Sequence, residues 1–166
     1  MPVQTAVDTI KGALDHLPGD SRTRVGFITF DSSIHVYNLK STLSQPQQMV
    51  IPDIENPFVP LPDDVLVPVS ESKVVIEMLL DSLVDIVNNG GGGAVEACLG
   101  PAVNTALLTM HTFGGRMLLF SAALPALGPG RLRAREDQRL QGTDRECTLR
   151  NPEDQFYKKV AAEASR

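Results

Sequence analysis

"TRVGFITFDSSIHVYNL", residues 23–39, decides the fold. The run from Val25 to Phe30 is rich in β-formers, and Ile34, Val36 and Tyr37 resume it after the small polar patch Asp31-Ser32-Ser33. Two such runs around a polar break predict a strand–turn–strand hairpin over residues 24–39. Asp31, a serine and His35 also invite a catalytic reading. They are too close in sequence to converge as a triad, whose members come from separate elements. In an extended chain Asp31, Ser33 and His35 point one way and Ser32 the other. A turn is the better reading.

Working outward, Val3, Val7, Ile10, Leu14 and Leu17 fall on one helical stripe and predict a helix over residues 3–17, ended by Pro18-Gly19. After the hairpin, residues 44–68 hold six prolines, which rules out a central strand or a long helix. This excursion leaves room for one edge strand near residues 49–51. Ser70 and Glu71 then open a helix over residues 71–88 that buries Val75, Met78, Leu79, Leu83 and Ile86. Gly90 to Gly93 form a break. A helix over residues 101–112 carries Pro101 in its first turn and buries Val103, Leu107 and Met110. "RMLLFSAAL", residues 116–124, reads as a strand apolar on both faces, as in a sheet covered by helices on both sides. An arginine-rich loop over residues 125–150 precedes a last helix over residues 152–165, capped by Asn151 and burying Phe156 and Val160.

The expected architecture is an α/β layer fold in a single domain spanning residues 1–166. It reads as incomplete, because two or three strands are few for a doubly covered sheet.

Composition narrows the function. A chain of 166 residues with 42% hydrophobic and 21% charged residues is globular rather than disordered. Its net charge of -5 offers no general attraction to phosphate backbones, so no nucleic-acid partner is expected. Cys98 and Cys147 build neither a disulfide framework nor a zinc cluster. Without a signal-peptide pattern, a reducing cytosolic setting is expected. The longest charge-free stretch, residues 97–115, holds Gly100, Pro101, Asn104 and His111 and makes a poor membrane span.

Three features carry binding potential, and a fourth does not. Arg131, Arg133, Arg135 and Arg139 suggest contact with an acidic partner or a lipid headgroup, although Glu136 and Asp137 among them favour a solvated loop. Asn56-Pro57-Phe58 matches a short ligand motif of membrane traffic, against the plainer expectation of a proline turn anchored by a buried Phe58. The glycine run lacks the Lys-Ser/Thr of a phosphate loop. Arg24, with Arg22 close by, heads the first strand, where an arginine can hold a peptide carboxylate through two parallel hydrogen bonds.

Two resemblances bear on these residues. Asp31-Ser32-Ser33-Ile34-His35 is similar to the Asp-x-Ser-x-Ser loop of metal-dependent von Willebrand A adhesion domains. His35 replaces the second serine, though, and neither the loop over residues 88–104 nor "SAALPALGPG" offers the remaining Thr and Asp. More extensively, "TRVGFITFDSSIHVYNL", "LSQPQQMVIPDIENPFVPLPDDVLV", "SESKVVIEMLLDSL", "GGRMLLFSAALPALGPGRL" and "FYKKVAAEASR" resemble the trunk domain of the COPII inner-coat cargo-adaptor subunit, in order and spacing.

That resemblance implies a three-layer von Willebrand A-like α/β trunk, incomplete here, lacking its first strand before Val3 and its last strands after Arg166. It implies a non-enzymatic scaffold without a cofactor, the family's structural zinc lying in a separate N-terminal domain. Implied partners are the paralogous GTPase-activating coat subunit and the sorting signals of cargo and SNARE proteins. The implied location is cytoplasmic, peripheral on the endoplasmic reticulum membrane and on COPII vesicles. Arg24, and with it Arg22, would lie on a surface that recognises SNAREs. The alternative is a metal-dependent adhesion domain.

Overall fold

The computed structural model of the chain describes residues 2–18, 22–89, 96–134, 139–151 and 154–165. The expected glycine break, the Arg135–Asp137 part of the arginine-rich loop and the Pro152-Glu153 helix start lie outside them. The chain gathers into two compact units. One comprises residues 1–29, 35–50 and 59–94, the other residues 30–34, 51–58 and 95–166.

In the first unit, helix α1 (Pro2–Leu14) packs against the long helix α3 (Val69–Asn89). Val7 and Leu14 meet Val75, Ile76, Leu79 and Leu80, with Tyr37, Leu39, Val67 and Val69 closing the same core. Each such side chain removed from water contributes about 1.5–3 kcal/mol before the entropy of ordering it is subtracted. Two exposed ion pairs flank the seam, Lys11–Asp81 at 2.6 Å and Asp15–Lys73 at 2.7 Å. A step of four along α1 answers a step of eight backward along α3, so the helices run antiparallel.

Both helices depart from expectation. α1 ends at Leu14, and Leu17 is exposed in the following turn. Pro18 disfavours helical backbone in the residue before it, which unwinds the last expected turn. On α3, Met78 and Ile86 are exposed, whereas Ser72, Ile76 and Leu80 are buried. Residues 72, 76 and 80 form the row beside 75 and 79, and α1 packs over both rows, leaving 78 and 86 at the margin.

The strand read as continuous from Val25 to Phe30 is two strands. β1 (Arg24–Val25) pairs antiparallel with β5 (Val67–Pro68), Arg24 opposite Pro68 and Val25 opposite Val67. β2 (Ile28–Phe30) joins β3 (Ile34–Asn38) and β4 (Gln47–Ile51) in a separate sheet of order β2-β3-β4. Gly26 marks the corner: a Cβ there would stand 2.8 Å from the Val65 carbonyl oxygen, in the four-residue helix α2 (Pro62–Val65). Only glycine lets the two backbones approach so closely. The proline excursion thus contributes an edge strand, a helical turn and a short strand.

The second unit is built on helices α4 (Leu99–Met110) and α5 (Phe156–Ala164). α4 buries Gly100, Pro101, Ala102 and Thr105, while Val103, Leu107 and Met110 are only half-buried. Small residues win because the 125–132 loop lies directly on them, and a Cβ on Gly100 would overlap the Pro129 carbonyl oxygen. The Tyr157 hydroxyl donates to the Gly130 carbonyl at 2.6 Å, tying α5 to that loop. Asp154, one residue before the Gln155 N-cap of α5, accepts the Phe156 N–H at 2.8 Å. Asn151 instead closes the short 3-10 helix Glu146–Arg150 through its own N–H, so it is not the cap expected from sequence. Phe156 and Val160 are half-buried.

Residues 116–124 depart most from expectation. They are not assigned to any strand, and Leu118 is 78% exposed, with Leu119, Phe120 and Leu124 also open. The nearest pairing is one parallel bridge between Ala97 and Pro125. A segment apolar on both faces becomes a strand only between two neighbours, and none of the described strands pairs with it.

Two outcomes follow. In an NMR titration the Asp15 carboxyl will ionise below the ordinary aspartate range, held there by the hydrogen bond and charge of Lys73. Its share of stability is present above the unfolded pKa and lost as pH falls through the depressed folded value. Lys73, raised by the same partner, loses its share as pH rises through its elevated value. Lys73→Met will return Asp15 to its normal range with little change in stability, because both groups are exposed. Second, unpaired extended backbone with apolar side chains templates association, so the 166-residue chain will self-associate in light scattering. Leu118→Lys with Phe120→Lys will suppress this; unchanged scattering would count against the segment.

Candidate functional site

The Asp31-Ser32-Ser33 patch closes the β2–β3 hairpin, joining strands too close in sequence to be anything but antiparallel. Asp31 Oδ1 accepts the Ser33 N–H at 2.8 Å, the Ser33 hydroxyl at 3.2 Å and the Ser32 hydroxyl at 3.4 Å. The Asp31 N–H donates to the Ser33 carbonyl at 3.0 Å. This is an aspartate turn, in which the side chain takes the place of a backbone acceptor. The Asp31 carbonyl accepts the Cys98 N–H at 2.9 Å, fixing the tip to the start of α4.

His35 Nδ1 lies 3.3 Å from the Thr29 hydroxyl, which also meets the Tyr37 hydroxyl at 2.9 Å. Thr29 thus links the His35 and Tyr37 side chains. Among the described residues, no group of three or more His, Cys, Asp or Glu side chains gathers in a metal-binding arrangement. Cys98 is buried at the start of α4, and that burial, reinforced by the charge of Asp31, pushes its thiol pKa up. A thiol so placed is a poor nucleophile.

Arg22 and Arg24 are exposed at the start of β1. Arg24 faces Pro68 across the two-stranded ladder, and proline brings no N–H to that pairing. The Val69 N–H donates to the Thr23 carbonyl at 3.0 Å, which holds the backbone between the two arginines. Their guanidinium groups therefore stand on an anchored edge. In the second unit, Arg131 and Arg133 line an open cleft with Asp154 and Gln155. The aspartate tempers its positive charge, in keeping with a solvated loop.

One expectation at this level fails. Phe58 is 59% exposed, so it does not anchor the proline turn. The sequence reading relied on the general preference of phenylalanine for the interior. The prolines and acids close by in sequence, Asp53, Glu55, Pro57 and Pro60, are the signal against burial.

Comparison with known proteins adds the context of these surfaces. Residues 2–166 match the family model described as the Sec23/Sec24 trunk domain. The chain belongs to that family. It is 48% identical over 165 residues to "Protein transport protein SEC24 A" of Arabidopsis thaliana, covering 99% of this chain and 16% of that protein. It is 45% identical over 152 residues to human "Protein transport protein Sec24B", covering 92% of this chain and 12% of that one. The crystal structure of the human COPII-coat protein Sec24c superposes with a TM-score of 0.87 at 36% identity, over 98% of this chain and 22% of that chain. The chain thus spans about a sixth of the first of these relatives. The von Willebrand A-like α/β trunk expected from the hairpin and its flanking segments is the fold that these matches support.

Within this trunk-family chain the Asp31 turn is a structural device, and substitution tests that. Asp31→Ala removes three acceptor contacts and will destabilise the hairpin by about 1–2 kcal/mol in urea denaturation. Ser32→Ala, which loses only the 3.4 Å contact, will fall within about 0.5 kcal/mol of the parent.

Proposed function

We propose that the chain is the trunk of a COPII cargo adaptor. In this reading it is a docking module that binds sorting signals of membrane cargo and SNARE proteins and pairs with the paralogous GTPase-activating coat subunit. It works in the cytoplasm, peripherally on the endoplasmic reticulum membrane and on COPII vesicles. No helix among the described residues is long and apolar enough to cross a membrane. The module holds no cofactor of its own and carries out no reaction.

The observation that carries this reading is the match along residues 2–166 to a trunk domain whose relatives are protein transport proteins. The hairpin geometry is consistent with it, since the Asp31 carboxylate serves its own turn. Arg24 and Arg22 are the cargo-binding residues of this proposal. A planar guanidinium on an anchored edge holds a peptide carboxylate with two parallel hydrogen bonds, and a second arginine two residues away adds attraction at longer range.

Fluorescence anisotropy with SNARE-derived peptides carrying an acidic signal tests the arginines. Arg24→Ala will weaken binding roughly tenfold, the loss of one charge-assisted pair, and Arg22→Ala less. Circular dichroism of both variants will match the parent, because each side chain is exposed. Peptide binding that is indifferent to both substitutions would remove Arg24 and Arg22 from the site. Failure of the chain to capture the partner coat subunit would undercut the adaptor reading itself.

A further inference from the structure

Asn56-Pro57-Phe58 is left unexplained by the adaptor reading, and its setting is unusual. Phe58 leaves more than half of its surface in water, at 59% exposure, and Asn56 is exposed beside it. An exposed phenylalanine forgoes one of the largest burial gains available to any side chain. The backbone leading into it is held in place. Asp53 Oδ1 accepts the N–H groups of Glu55 and Asn56, both at 3.1 Å, and Pro57 has its φ fixed by its ring. The tripeptide is therefore presented in a set conformation, which lowers the entropy cost of capture.

The charges beside it in sequence are of one sign: Asp53 and Glu55 lead into the tripeptide, and no lysine or arginine occurs between Lys40 and Lys73. We infer that Asn56-Pro57-Phe58 is a docking signal displayed by the trunk for a separate folded domain. That domain has an apolar pocket the size of a phenylalanine ring, a polar wall for the asparagine amide and a basic rim. Phe58 supplies the buried anchor, Asn56 the orienting hydrogen bonds, and Asp53 and Glu55 the attraction to the rim. The chain, on this inference, is itself a ligand as well as a reader of signals. The two roles use different residues, so either can fail without the other.

The probe is a recombinant domain selected for capture of synthetic Asn-Pro-Phe peptides, titrated into the 166-residue chain and followed by calorimetry and by amide chemical shifts. Saturable one-to-one binding is expected, with shifts centred on Asn56 and Phe58. Phe58→Ala and Asn56→Ala will each weaken it roughly tenfold or more, as truncating an interface anchor does. Val50→Ala, at another exposed apolar position, will leave it unchanged. Asp53→Asn with Glu55→Gln will weaken it modestly and flatten its salt dependence. A free peptide of residues 51–60 will compete. No binding, binding that survives Phe58→Ala, or capture of the free peptide but not of the folded chain would each overturn the proposal.

Discussion

The antiparallel seam of α1 on α3 is the constraint on which the first unit rests. Val7 and Leu14 are buried against Val75, Ile76, Leu79 and Leu80, and the β1–β5 ladder delivers Val67 to the same core. Without that seam a two-residue ladder would not persist, since isolated pairs of strands are marginal in water. The register of the ladder in turn sets where Arg24 stands. An exposed arginine thus owes its position to aliphatic packing on the inner side of the same strand. The ion pairs along the seam, Lys11–Asp81 and Asp15–Lys73, contribute orientation more than energy, because their groups lie in water.

The Asp31 turn shows how a constellation that looks chemical can be purely architectural. A carboxylate that accepts three local hydrogens and shares its backbone with the start of α4 is a fastening. Further along the hairpin, the Thr29 hydroxyl joins His35 and Tyr37. The same economy governs Asn38, whose amide donates to Gln47 and whose oxygen accepts the Lys40 N–H. Among the described residues no buried side-chain polar atom lacks a partner.

Where the structure spends apolar surface outwardly is as informative as where it buries it. Residues 116–124 and Phe58 are both open, for different reasons. The former is a run apolar on both faces, which needs a neighbour along each edge before it can become a strand. The latter is a single ring set among acids and prolines. A long apolar run and a lone presented aromatic call for different partners, the first for backbone pairing and the second for a pocket.

Residue pattern alone determined the existence of α1, α3, α4 and α5, the β2–β3 hairpin and the edge strand in the proline excursion, because periodicity and proline act locally along the chain. It also determined that Asp31, a serine and His35 lie too close in sequence to converge as a triad, whose members come from separate elements. Tertiary structure decided the rest. The kink at Gly26 depends on how close the Val65 backbone comes, and the buried face of α4 depends on the loop at Pro129. The phase of the α3 stripe depends on where α1 lies across it. Whether Phe58 goes in or out, and whether Leu118 finds a strand, depends on what lies beside them in space. Burial is a relation between segments distant in sequence, and no local pattern encodes the second member of the pair.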